Sequence, residues 1–436
     1  MTQFQQLYLR RAFACTLAII LVVVSGAAWP ESFEQPPVLS ASQVLPRQLL
    51  QSPNYRVDKR VRLENFQYTF RVHTKWGAFP IKGTDLLRLR AREMAATAKL
   101  EEVGGPKTAV QSAGRTALKP VETAKDLITA PGRTISDTFR GVGHIFGSAK
   151  ASMSATDPHK EGIVASVTGG SSARRKLAFA LGVDPNTSFP PLSDQLKRLA
   201  TASAFGETGA NVGLSFVAGP AGIAIGVAGT SDALREALRD KTAAELEKGG
   251  RQTLAAMGVS QATIDALYAN PMLTPTDKTI IVEALQSLGG TRGRQIFVAS
   301  AARAPSIEMG YFYRQQAELI AAYSKRVAPV RSFLRFGGAP MLRTTKGTVS
   351  VLPVDYLIWT PPLAELVARA NRHRSGGLAE FWITGEASQT ATAKLAELGW
   401  KVMPNAAVPL RHIPRHHSRT AEAMCGESPK CARKRT

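Results

Sequence analysis

The chain has 436 residues, 44% hydrophobic and 20% charged, and its 55 Lys and Arg against 33 Asp and Glu leave a net charge of +22. That length and apolar content exclude a disordered chain or a disulfide-stapled miniprotein and leave room for two or three domains. The charge turns attention to anionic membrane or cell-wall components, drawn by long-range attraction, and a solvated surface of dispersed arginines is the alternative reading. With no nucleic-acid module and few aromatics among the basic residues, the pattern argues against nucleic acid as a partner.

Residues 1–28 open the chain with a secretory pattern. Arg10 and Arg11 precede an uncharged run over 12–28 that exits through Ser25, Gly26, Ala27 and Ala28. A basic start, a compact apolar segment and a small-residue exit read as a bacterial signal peptide cleaved after Ala28. Kept uncleaved, the same run sits at the lower edge of what a bilayer needs and would act as an N-terminal anchor. Either way the expectation is an exported protein, periplasmic or membrane-associated.

Residues 29–53 are rich in Pro, Ser and Gln and read as an extended linker. Over 54–102 the pattern predicts a small β-hairpin with a helix. Leu63, Phe66, Tyr68, Phe70 and Val72 alternate with polar residues as one strand over 62–73, bulged near Asn65. Trp76-Gly77 marks a turn, 78–81 supplies a second strand, and 84–100 carries Leu86, Leu87, Leu89, Met94 and Leu100 at helical spacing. Residues 103–170 are punctuated by Gly and Pro and read as largely irregular.

From 171 to 330 the pattern is helical. The best-marked helix runs over 275–288, with Thr274 as N-cap, Pro275 at its first position, Asp277 in its first turn and Gly289 ending it. Within this region 208–231 carries no charge and six glycines at three- and four-residue spacings. Such a segment suits a spanning helix, a re-entrant hairpin or a helical hairpin buried in a soluble core. Residues 331–403 then alternate strand, helix, strand, helix, strand, a βαβαβ order with partly parallel pairing. Residues 404–436 form a polar, basic tail. The predicted class is therefore α+β, mostly helical: a small N-terminal β-hairpin with a helix, a central helical region and a C-terminal small α/β unit.

No motif fixes a reaction, and none calls for a cofactor. Neither a phosphate-cradling glycine loop nor a hydrolase elbow or metalloprotease helix is present. Ligands of α/β units sit at the carboxyl ends of the strands, which makes Glu386 the candidate catalytic carboxylate, although a helix N-terminus also favours an acid there without any function. In the tail, His412, His416 and His417 are the only clustered metal-ligating candidates, and Pro414 breaks the helical spacing that would align them. Cys425 and Cys431 could close a small disulfide loop in an oxidising compartment. The functional expectation is an exported, envelope-associated binding or structural protein with a basic surface. The alternatives are an exported enzyme with its site in the C-terminal unit, and a membrane-inserting protein using 208–231.

Overall fold

The computed structural model describes residues 33–104, 164–204, 232–336, 339–374 and 376–411. It is a mixed α/β structure in which helix outweighs strand. The leader 1–28, the stretch 208–231, most of the punctuated segment, and the tail candidates His412, His416, His417, Cys425 and Cys431 lie outside the described residues. Among the described residues no helix is long and apolar enough to cross a membrane.

The N-terminal region is a six-stranded sheet rather than a small hairpin. Its strands are β1 (Val38–Ser40), β2 (Gln51–Ser52), β3 (Tyr55–Val57), β4 (Arg60–Glu64), β5 (Gln67–Thr74) and β6 (Gly77–Lys82), with two short helices, α1 (Ala41–Val44) and α2 (Arg47–Leu50), between β1 and β2. β3 and β4 follow one another along one edge of β5, β6 covers its other edge, and β1 and β2 pair outside β4 and β3. The linker expected over 29–53 is therefore corrected, because 38–52 is folded into this sheet. Strands of two or three residues carry too little periodicity to be read locally, and only a distant partner defines them.

The bulge expected near Asn65 is a hairpin turn. Asn65 and Phe66 have φ of 53° and 64°, and Glu64 pairs with Gln67 across them. A two-residue turn with both central residues at positive φ matches the right-handed twist of its strands and normally carries Gly at its second position. Phe in that place hid the turn in the sequence. The inner face of the sheet, with Val61, Leu63, Phe70, Val72 and Ile81 buried, packs on α3 (Thr84–Gly104) and on the helix pair α4 (Val164–Ala180) and α5 (Pro190–Ala204) through Leu87, Met94, Leu177, Leu192 and Leu196.

The central helices are α6 (Asp232–Asp240), α7 (Ala243–Ala256), α8 (Gln261–Ala269), α9 (Pro275–Gln286), α10 (Arg294–Ala301) and α11 (Ile307–Arg326). α9 starts as its sequence dictates: Thr274 Oγ1 accepts from Asp277 N at 3.0 Å, and Asp277 reaches back to Thr274 N, a capping box. It stops at Gln286, three residues before Gly289. Gly310 of α11 lets the chain pass Met272, since a Cβ there would lie 2.2 Å from the Met272 carbonyl oxygen.

The C-terminal sheet has five strands in the order β13-β11-β9-β8-β7: β7 (Val330–Phe336), β8 (Ala339–Thr344), β9 (Gly347–Leu352), β11 (Leu378–Ile383) and β13 (Lys401–Met403). β9, β11 and β13 are parallel, while β7, β8 and β9 are antiparallel neighbours. A separate parallel pair, β10 (Tyr356–Leu357) with β12 (Glu386–Ala387), lies past the carboxyl ends of β9 and β11. Helices α12 (Pro361–His373) and α13 (Gln389–Glu397) cover one face through Leu363, Val367 and Leu395 against Phe381 and Ile383. The other face presents Phe333, Leu342, Val349, Val351 and Trp382 to α10, α11 and a last short helix, α14 (Ala407–Arg411). The folded body thus reaches Arg411 instead of ending at 403, because Ala406 and Leu410 are buried in this core.

Three polar joints tie the regions together. Asp355, in the loop after β9, accepts hydrogen bonds from Tyr68 N at 2.8 Å and from Thr84 N at 3.1 Å, and so caps α3 from across the fold. Glu34 Oε2 accepts from Trp359 N and Ser388 Oγ, both at 2.6 Å, while Phe33 stacks on Trp359. The third joint is buried among α3, the α4–α5 loop, α9 and α11. There Arg314 pairs with Asp277 at 3.2 Å, Thr276 Oγ1 donates to Asp184 at 2.6 Å, and Thr187 Oγ1 and Arg90 bond Glu93. Burial pushes the Asp184 carboxyl up to about 6.

Candidate anion-binding face

The two faces of the N-terminal sheet separate by strand alternation. In β3 and β4, Tyr55, Val57, Val61 and Leu63 point to the core, so Arg56, Arg60 and Arg62 point to solvent. In β5 the same alternation buries Tyr68, Phe70 and Val72 and exposes Arg71. Asp58 N donates to Arg71 O at 2.8 Å, holding β5 in register across the break between β3 and β4. The register that sets Arg62 opposite Thr69, and Thr69 opposite Lys82, places Arg60 beside Arg71 on the same face.

Residues 51–82 carry seven basic side chains against two acidic ones, Asp58 and Glu64. Both acids are engaged. Asp58 Oδ1 lies 2.9 Å from His73 Nε2, and Glu64 lies 2.7 Å from Lys82 Nζ. The Lys82 hydrogen bond, against a burial cost, holds the Glu64 carboxyl below the usual range, with the charges of Lys82 and Arg62 adding to the effect. Among the described residues no ion-pair partner stands within 4 Å of Arg56, Arg60, Arg62 or Arg71. Arg60, Arg62 and Arg71 with Thr69, Ala78 and Pro80 line a groove of about 380 Å³, with Asp58 and Glu64 toward its two ends. Like charges side by side on adjacent strands oppose the sheet they sit on. An anion bridging Arg60 and Arg71 would remove that repulsion, and guanidinium forks suit carboxylate and phosphate oxygens in particular.

Glu386 is placed elsewhere. It is exposed on β12, and it lines neither this groove nor the larger cavity beside α12. The acid that is buried at the carboxyl ends of the parallel strands is Asp355, whose carboxyl is raised by burial and whose oxygens are occupied by backbone N–H groups. It acts as a clamp between the two sheets. The sequence did carry a signal for it, a lone charge inside the apolar run Leu352 to Trp359. Among the described residues no three His, Cys, Asp or Glu side chains converge as a metal site. The arginine face left a different signal, basic residues at every second strand position. The neighbouring of Arg60 with Arg71 depends on a turn that the sequence disguises.

Comparison with known proteins gives no match for this chain among family models, curated proteins or solved structures.

Proposed function

We propose that this chain is an exported, envelope-associated binding protein without catalytic role, which holds anionic membrane or wall components on the outer face of its N-terminal sheet. The carrying observation is Arg60 beside Arg71, flanked by Arg56 and Arg62, with both nearby carboxylates already engaged. Each basic side chain near an anionic lipid surface contributes about 1 kcal/mol, so four act together as a real docking surface. The export part of the reading is supported by the composition of residues 1–28.

The test is flotation of the full chain with vesicles containing phosphatidylglycerol, against vesicles of phosphatidylcholine alone. Binding to the anionic vesicles, release in 1 M salt, and at least about tenfold weaker binding by the Arg56→Gln, Arg60→Gln, Arg62→Gln, Arg71→Gln variant support the proposal. Undiminished binding by that variant overturns it. For location, the mature N-terminus read by mass spectrometry after cell fractionation supports export if it begins at Trp29.

A further inference from the structure

A second concave feature lies away from the arginine face. A cavity of about 430 Å³ opens between the Asn65–Phe66 turn, α11 and α12. Its walls are apolar, with Phe66, Phe312, Leu352, Val354, Leu363 and Leu366 contributing. That volume and lining fall within the range of small-molecule sites.

Three observations define what would fit. First, Gln316 lines the cavity and is only 1% exposed. Its Nε2 donates to Val351 O at 2.9 Å, while its buried Oε1 has no hydrogen-bond partner among the described residues. Buried acceptors are seldom left unpaired, and this one calls for a donor. Second, the charged side chains of the site cancel each other. Glu365 and Arg369, one turn apart on the exposed side of α12, pair at 2.5 Å, so no free charge waits for an ionic head group. Third, the wall is held in place at a conformational cost. Phe66 sits at a φ of 64°, where a bulky residue is strained, and its carbonyl accepts from both Asp355 N and Tyr356 N. Glycine would relax that turn but would leave this side of the cavity open.

We propose that the cavity binds a neutral, mainly apolar small molecule bearing one hydroxyl or amide N–H donor. The donor bonds Gln316 Oε1, and the apolar body lies against Phe66, Phe312, Leu363 and Leu366. This proposal does not rest on the arginine face, and its outcome is independent of vesicle binding.

Calorimetric titration of the full chain with 1-decanol, decyl methyl ether and decanoate tests it. The alcohol binds, and the ether and the carboxylate bind at least about tenfold more weakly, since one cannot donate and the other has no free cation to meet. Leu366→Trp fills the cavity and abolishes alcohol binding. Gln316→Met keeps the volume, removes the acceptor, and makes alcohol and ether equal, so the test survives if the tryptophan variant does not fold. The proposal is overturned if none of the three binds, if decanoate binds as tightly as the alcohol, or if alcohol and ether bind the unmodified protein equally.

Discussion

The two sheets of this protein solve the same burial problem in different ways. The N-terminal sheet packs one face on α3, α4 and α5, and no described element covers the other, where its strands carry exposed basic residues between the buried apolar ones. The C-terminal sheet is covered on both faces, by α12 and α13 on one side and by α10, α11 and α14 on the other, and β9 is accordingly buried at five of its six positions. A sheet covered twice has no face left for a partner, and its ligand-accessible places shrink to edges and end loops. A sheet covered once offers a flat, chemically uniform surface. The comparison teaches where to look for recognition here: on the open face of the first sheet, and in the seam where the first sheet meets the second.

The largest expected effect breaks the link between the sheets. Asp355→Ala leaves Tyr68 N and Thr84 N without their acceptor, and global stability in urea falls by about 3 kcal/mol or more. A loss below about 1 kcal/mol would show that the sheets do not depend on this clamp.

Next comes the buried joint beneath the first sheet. Asp184, raised from 3.8 to about 6, holds its proton more tightly folded than unfolded. Its contribution to stability is therefore complete below about pH 4 and is lost as pH rises through about 6. Arg314 favours the ionised form, and Asp277 opposes it. Asp184→Asn removes the decline and raises stability at pH 8 by up to about 3 kcal/mol, because one pKa unit corresponds to about 1.4 kcal/mol. Urea midpoints at pH 4.5 and 8 check this, and a variant that keeps the parental pH slope would contradict it.

The open face gives a smaller stability effect of opposite sense to its binding effect. Replacing Arg56, Arg60, Arg62 and Arg71 by Gln stabilises the fold by a few tenths to about 1 kcal/mol, since like charges no longer face one another. A destabilised variant would mean that these side chains hold the sheet rather than serve a partner. Smallest of all is Phe66→Gly. Relief of about 1–2 kcal/mol of backbone strain is offset by a comparable loss of apolar packing, so the melting midpoint moves little while the cavity loses a wall.

Much of the fold could be read locally where a segment carries its own period or its own caps. The Thr274–Asp277 capping box, the helix after Thr84 and the strand–helix order after Gly347 are of this kind, because 3.6-residue and two-residue patterns need no distant partner to be recognised. What escaped lies in short or disguised elements. β1, β2 and the two four-residue helices are defined by pairing and packing, the 65–66 turn carries Phe where Gly is customary, and the β7–β8 pair lacks a strict alternation. The arginines were visible as charge, yet only the register showed which of them stand together.

The sequence by itself determined the basic character of the chain, the apolar faces of its helices, the caps that start them and the alternation that sets Arg62 and Arg71 apart from the apolar residues of the 62–73 segment. These are local properties, settled by residue type and spacing. The tertiary structure alone decided that Asp355 caps a helix 271 positions earlier, that Glu386 stays outside the cavity, and that Gln316 lies buried with an acceptor unused among the described residues. Those outcomes depend on which distant surfaces meet, and long-range contacts leave no period in the chain that makes them.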